Sequence, residues 1–318
     1  MPAIIAEFCQ NHRGDRGLLQ EMVWAAAEMG ADYAKIQTIW ADDLTFRPRF
    51  EKRDLAPEKR DTIERPYQAE HDRLESLEVD EDGHPWFIEE CGRAGIRPMT
   101  TVFTRATVPF VASLSWDAVK VASYDCSSYP LLRELRPRFA HMFVSTGATL
   151  DHEIEAAAQI LKAGSYSFLH CVTIYPTPLE EMHLARMKYL QMFTPSVGLS
   201  DHSLVARDGL KASIVALSLG ADVIERHFTL LSPEETKDGP VSITPDGLRE
   251  LVSFARLSRD DLEKYVAQEI PEADAMVGQE RRPLSATEKL NRDYYRGRFA
   301  SRAADDQVVY NWDEQSVS

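Results

Sequence analysis

Gly198-Leu199-Ser200-Asp201-His202-Ser203 and Glu225-Arg226-His227-Phe228-Thr229 decide how this chain is read. Each stretch ends a short apolar run, residues 195–199 for the first and 221–224 for the second. Between them, residues 207–220 place Leu210, Ile214, Leu217 and Leu219 at helical spacing. The order is strand, helix, strand, with a histidine just past the carboxyl end of each strand. In a barrel of repeated β/α units those ends share one face, and that face carries the active site. His202 and His227 on neighbouring strand ends, with coordination positions left open, suit a divalent metal that also binds substrate.

The same alternation extends outward from this pair. Strand patterns fall at residues 4–8, 32–38, 97–102, 118–123, 142–147 and 167–172, ahead of those near Ser196 and Asp222. Helical patterns fall at 18–29, 86–94, 107–114, 129–134, 152–163, 182–189 and 245–266. The first is apolar at Leu18, Met22, Ala25 and Ala26 and is closed by Gly30; Thr107 is placed to cap the third. Residues 40–82 form a charged, proline-containing excursion, long for a β/α connection, that reads as a functional flap or packing insert with short helices. About eight strand-then-helix units match a closed (β/α)8 barrel over residues 1–267, an α/β fold. The first strand lacks the glycine-rich turn of a dinucleotide-binding sheet. Residues 268–318 are a charged tail, with a weak helix at 286–294 and a strand pattern at 307–310. The tail is too short for a core of its own and is expected to pack on the barrel or on a partner chain.

Composition narrows the function classes. The chain has 318 residues, 44% of them hydrophobic, and a formal net charge of −15. That charge offers no basic footprint for nucleic acid or an anionic membrane. A small anionic substrate needs local cations against this background, which directs attention to lysines at strand ends. Cys9, Cys91, Cys126 and Cys171 are scattered without a CxxC pair, so a reducing cytoplasm is the expected setting. Neither a leader pattern nor a run of about 18 apolar residues is present.

Polar residues that terminate strands are Glu7, Lys35, Gln37, Thr101, Lys120, Ser123, Ser145, Thr173, Tyr175, Ser200, His202 and His227. Two lysines and several hydroxyls converging on one face make a site for a carboxylate and a phosphate. The histidines add a metal, and Glu7 a base or acid. Singly, Ser145 or Thr101 reads as a helix cap, a lysine as surface and a histidine as a hydrogen-bonded support. Lys35 and Lys120, however, lie inside apolar strands, where an ammonium needs either a ligand or a buried carboxylate. His12 and His170 read as structural and Cys171 as core.

Seven motifs then appear in one order: residues 6–14 (AEFCQNHRG), 35–38 (KIQT), 120–123 (KVAS), 145–147 (STG), 170–178 (HCVTIYPTP), 198–202 (GLSDH) and 225–229 (ERHFT). With them the chain resembles the sialic acid synthase (N-acetylneuraminate synthase) family of phosphoenolpyruvate-dependent nonulosonic acid synthases, over residues 4–266. The resemblance implies that phosphoenolpyruvate condenses with an aldose, such as an N-acetylmannosamine-like sugar, to a 2-keto-3-deoxy sugar acid with release of phosphate. It implies Mn²⁺ or Mg²⁺ on His202 and His227, and a phosphoenolpyruvate cradle of Lys35, Thr101, Lys120, Ser123, Ser145 and Ser200. Gln37, Asp125 and Tyr175 would face the sugar, and Glu7 would assist proton transfer or position water. A homodimer is implied as well.

Departures from the family pattern matter equally. Members usually carry a C-terminal antifreeze-like domain that lends an arginine to the partner's sugar site; here only its linker is expected to remain. The acceptor-side aspartate is displaced, to Asp238 in Lys237-Asp238-Gly239-Pro240. Cys9 replaces a usual glycine, and Thr173 a usual asparagine or serine. These changes imply a different or less tightly held acceptor, such as one without an N-acetyl group. Two other readings stay open on the residues: a metal-dependent pyruvate aldolase on the same barrel, and a non-catalytic ligand-binding paralogue.

Overall fold

A computed structural model describes residues 1–52, 62–303 and 305–317. Among them, eight parallel strands close in sequential order into a barrel. They are β1 (Ala3–Glu7), β2 (Tyr33–Thr38), β3 (Arg97–Val102), β4 (Ala118–Val121), β5 (His141–Ser145), β6 (Ser165–His170), β7 (Val197–Asp201) and β8 (Val223–His227). β1 pairs with β2 on one side and β8 on the other, which completes the ring. The (β/α)8 barrel expected from the sequence is the fold.

Strand alternation sorts the side chains into two cores. Outward residues such as Ile4, Ala6, Ala34, Ile36, Val119, Val121 and Ile224 join the helices in one apolar layer. Inward residues Ile5, Tyr33, Met99, Ala118, Phe143, Leu169 and Val223 plug the barrel. At β7 the plug needs no side chain: a Cβ on Gly198 would lie 2.1 Å from the Val223 carbonyl oxygen. The plug is a floor, and the polar residues stand on it.

Several helix boundaries differ from the expectation, each for a visible reason. The stretch 207–220 is two helices, Val205–Asp208 and Lys211–Ser218, separated at Gly209, whose φ is +54°. The stretch 245–266 is also two, Pro245–Ala255 and Arg259–Glu269, because the Ser258 side chain accepts from the Asp261 N–H and caps a new start. Thr107 does not cap: its hydroxyl donates to the Thr104 carbonyl at 2.9 Å, and the helix is only Val108–Ala112. The first helix, Arg16–Glu28, buries Leu19 rather than Leu18 alongside Met22 and Ala26. The region 182–189 is helical only over Arg186–Leu190, after a 3-10 turn at Leu179–Glu181.

The long excursion holds two 3-10 turns, Ala41–Asp43 and Pro48–Phe50, and the helix Tyr67–Glu75; residues 53–61 of it lie outside the described residues. The tail packs on the barrel mouth. Its helix Ala286–Tyr295 sends Arg292 to Glu153 and to the Ala148 carbonyl, and Asn291 to the Thr173 carbonyl at 2.8 Å. Phe299 closes a small cluster with Leu44, Leu74 and Phe103. The strand expected at 307–310 is reduced to Val308–Val309, paired with Ser301–Arg302. Among the described residues no helix is long and apolar enough to cross a membrane, and the four cysteines are free and buried.

Candidate active site

Two residues above the floor positions of every strand but β6, on the same inward face, the side chains turn polar. Ile5 leads to Glu7, Tyr33 to Lys35, Met99 to Thr101, Ala118 to Lys120, Phe143 to Ser145, Gly198 to Ser200 and Val223 to Glu225. All line one cavity of about 280 Å³ at the carboxyl ends of the strands. One step higher stand Cys9, Gln37, Thr173, His202 and His227, with Ser123, Tyr175 and Asp238 at the same mouth. The residues read from the sequence as a set are therefore brought together, with one exception. Asp125 does not line the cavity. β4 ends at Val121, and a 3-10 turn, Ser123–Asp125, rotates this carboxylate into the protein. There it accepts from Ser128 Oγ at 2.7 Å and Asn311 Nδ2 at 3.0 Å, and burial pushes its pKa up to about 6 despite those bonds.

The lysines are not bare. Lys35 pairs with Glu7 and lies 3.4 Å from Glu225, while Lys120 lies 3.6 Å from Glu225. Glu225 also accepts from Ser200 Oγ at 2.6 Å, and Thr101 Oγ1 accepts from Lys35 Nζ at 3.1 Å. Burial opposes ionisation of Glu225, but Lys120, Lys35 and Ser200 outweigh it and hold the carboxyl well below the usual range. Burial, reinforced by Lys120 and opposed by Glu225, brings Lys35 down to about 8. Both alternatives for a buried lysine thus hold at once: each has a carboxylate, and each faces the cavity.

The hydroxyls beside them are unsatisfied. Ser145 Oγ and Thr173 Oγ1 are buried, with no hydrogen-bond partner among the described residues. A Cβ on Gly147 would meet Thr173 Oγ1 at 2.5 Å and Ser123 Oγ at 2.9 Å, so glycine leaves these hydroxyls their room. Buried polar atoms left without partners cost stability, and such donors persist where a ligand satisfies them.

The two histidines meet with ring centroids 5.2 Å apart, and the half-exposed Tyr175 ring stands edge-on to His202 at 4.4 Å. Burial lowers the pKa of both imidazoles, and for His202 the neighbouring His227 adds to it. Neutral imidazole is the form that binds a metal, and His227 Nδ1 is buried with no hydrogen-bond partner among the described residues. His227 also forms one potential metal-binding group with Cys9 and Asp238, whose ligand atoms all lie within 4.8 Å of one another. The donors fit a divalent ion. Cys171 is buried as expected, yet it faces the cavity, with Sγ 3.8 Å from His202 Nδ1. His170, held by the Met182 carbonyl at 2.7 Å, is structural.

Several lining residues gave no sequence signal. Arg65 and Arg73 come from the excursion, Lys237 from the loop after β8, and Tyr295 and Arg298 from the tail. Arg73 and Arg298 share Glu70, and Arg73 also reaches Gln10 Oε1 at 2.5 Å. Burial and the adjacent arginines bring Lys237 down to about 8, although Glu70 opposes this. Tyr124 and Tyr295 stack with centroids 5.7 Å apart. Glu225 could have been found, since it precedes His227 by two residues and so shares its inward face.

Fold and site together define a (β/α)8 enzyme whose mouth concentrates lysines, hydroxyls and candidate metal ligands. Residues 22–266 match the NeuB family, and the chain belongs to it. It is 32% identical over 264 residues to the N,N'-diacetyllegionaminic acid synthase of Legionella pneumophila, covering 80% of this chain and 71% of that protein. It is 29% identical over 307 residues to the pseudaminic acid synthase of Campylobacter jejuni, covering 94% and 81%. The N-acetylneuraminic acid synthetase of Leptospira borgpetersenii shares the fold, with a TM-score of 0.70 at 23% identity, covering 92% of this chain and 91% of that one.

Proposed function

We propose that this chain joins phosphoenolpyruvate to the carbonyl carbon of an aldose and releases phosphate, giving a 2-keto-3-deoxy sugar acid of the sialic acid kind. The observation that carries this reading is one cavity that holds buried Lys35 and Lys120 together with the hydroxyls of Ser145 and Thr173, which have no partner among the described residues. A ligand with both a carboxylate and a phosphate satisfies those donors and balances the ammonium groups.

In this reading Lys35, Lys120, Thr101, Ser123, Ser145, Thr173 and Ser200 hold phosphoenolpyruvate. Gln37 and Tyr175 face the acceptor from the outer layer. The C3 carbon of the enol bonds to the acceptor's carbonyl carbon, whose oxygen takes up a proton. Water then adds its oxygen to C2, the C2–O bond to phosphate breaks, and the remaining C2 hydroxyl loses its proton to become the ketone. Lys35 and Lys120 stabilise the phosphate as its charge grows, and the water-excluding floor strengthens that interaction. Glu7 keeps Lys35 oriented and lies beside the same layer, placed to move the proton of the incoming water. A divalent ion held at His227, beside His202, would supply Lewis acidity toward the acceptor's carbonyl.

On the acceptor side the groups differ from those expected. Asp125 supports the tail, while the tail brings Tyr295 and Arg298 of the same chain to the mouth. We assign acceptor contact to these two with Gln37 and Tyr175. A homodimer is the assembly this reading retains, and the cytoplasm is the compartment that suits four free thiols. Phosphate release from phosphoenolpyruvate across a panel of aldoses, with product masses recorded, tests the reading. A pyruvate aldolase frees no phosphate, and a silent paralogue turns nothing over.

A further inference from the structure

Cys9 occupies a position that no catalytic step above requires. Its φ is +47°, in the left-handed region that favours glycine, yet a side chain is present there. The thiol is buried and donates to Asp238 Oδ2 at 3.0 Å. Asp238 is carried on a loop pinned from several sides. Asn11 Nδ2 donates to the Phe228 carbonyl and to Ser242 Oγ, both at 2.9 Å. Ser242 Oγ in turn donates to the Asp238 carbonyl, and Thr236 Oγ1 donates to Asn11 Oδ1, both at 2.7 Å. Sulfur and carboxylate are thus held where His227 presents a buried ring, nine-tenths enclosed, with Nδ1 unpartnered among the described residues. Ligand atoms of Cys9, His227 and Asp238 all fall within 4.8 Å of one another, and His202 stands outside that group.

We propose that Cys9 and Asp238 bind the divalent cation directly together with His227, and that the sulfur donor makes this centre select a borderline-soft ion such as Zn²⁺, Co²⁺ or Fe²⁺ over Mg²⁺. A thiolate, an imidazole and a carboxylate form a mixed donor set that hard, oxygen-preferring Mg²⁺ fits poorly. On binding, the Cys9 S–H bond breaks, the sulfur–metal bond forms, and the proton leaves to solvent. The Asp238 oxygen that accepted from the thiol is then free for the metal. Asp238 becomes a metal ligand in place of the acceptor contact expected from the sequence. The inference rests on the reading that the mouth holds a cation, and it is independent of which sugar is condensed.

Chelator-treated full-length protein titrated with Co²⁺ tests this by its ultraviolet thiolate-to-cobalt charge-transfer band. The expected result is a band that saturates at one ion per chain, is lost in Cys9→Gly and is retained in Cys171→Ala, the other thiol near a histidine. Glycine suits the positive φ, so Cys9→Gly preserves the local backbone. Asp238→Asn weakens Co²⁺ binding by about tenfold or more, and excess Mg²⁺ fails to displace the ion while Zn²⁺ succeeds. Co²⁺ bound without the band, a band that survives in Cys9→Gly, or no bound Co²⁺ each overturns the proposal. Phosphate release that persists in the first two cases shows that only the ligand assignment has failed, not the condensation reading.

Discussion

Lys35 sits on the barrel floor between two carboxylates, and its ammonium gives the phosphoenolpyruvate side of the site a pH dependence. Burial and Lys120 bring its pKa down to about 8, even with Glu225 opposing. Below that pH the charged amine is available to an anion; above it the free enzyme loses the charge. Bound phosphoenolpyruvate holds the proton on, so the group titrates higher in the complex. We therefore expect kcat/KM for phosphoenolpyruvate to fall as pH rises through about 8, while kcat holds to higher pH. Parallel pH profiles of the two parameters check this, and a flat kcat/KM through that range contradicts it. At this scale most of the site was legible, because a period of two places Glu7, Lys35, Thr101, Lys120, Ser145 and Ser200 on one face. Asp125 was misplaced for a definite reason: the strand ends at Val121, the alternation stops, and the turn that follows aims the carboxylate at Asn311. Cys9 was noticed only as a departure, since its meaning depends on a loop that begins more than two hundred residues later.

Between strands and helices lies an element-scale support for the two histidines. Arg226 and Asp201 point outward from β8 and β7, each one residue from its histidine, and are fully buried with Nη1 to Oδ1 at 2.6 Å. Asp201 also accepts from the Ser203 N–H at 2.8 Å and Ser213 Oγ at 2.6 Å, while Arg226 reaches Ser203 Oγ at 2.9 Å and the Gly209 carbonyl at 3.3 Å. Removing one partner strands a buried charge. Asp201→Ala should destabilise the fold by about 3–5 kcal/mol, and replacing both residues by leucine should recover much of the loss. Urea unfolding of the three proteins measures this; an Asp201→Ala midpoint equal to the parent's contradicts it. The tail helix and its following turn are the second element-scale feature. Arg298→Ala is expected to raise KM for the acceptor by about tenfold and leave KM for phosphoenolpyruvate within about twofold. Steady-state kinetics with each substrate varied decides, and a rise confined to phosphoenolpyruvate reverses the assignment. The tail helix itself was legible in the sequence, as the weak helix expected at 286–294. Its destination was not, because docking depends on pairs such as Arg292 with Glu153 that no local pattern encodes.

Across the whole molecule, a chain of net charge −15 sets six of its 36 lysines and arginines around one concave face. Lys35 and Lys120 lie at the floor, with Arg65, Arg73, Lys237 and Arg298 around the rim. A cleft with this sign, walled by low-dielectric protein, concentrates anionic substrate against the repulsion of the remaining surface. Barrel closure was readable from the repeated strand-then-helix order, since eight such units have few other solutions. The rim was not readable, because it is assembled from an excursion, a loop and a tail that share no period. The direct test of the condensation itself is phosphate release from phosphoenolpyruvate in the presence of a divalent cation, measured across a panel of aldoses with the product masses. The account predicts release that depends on one aldose, stops on adding chelator, resumes when the metal is restored, and yields the mass of aldose plus pyruvate. Phosphoenolpyruvate binding without phosphate release for every aldose, with each metal supplied, would contradict it.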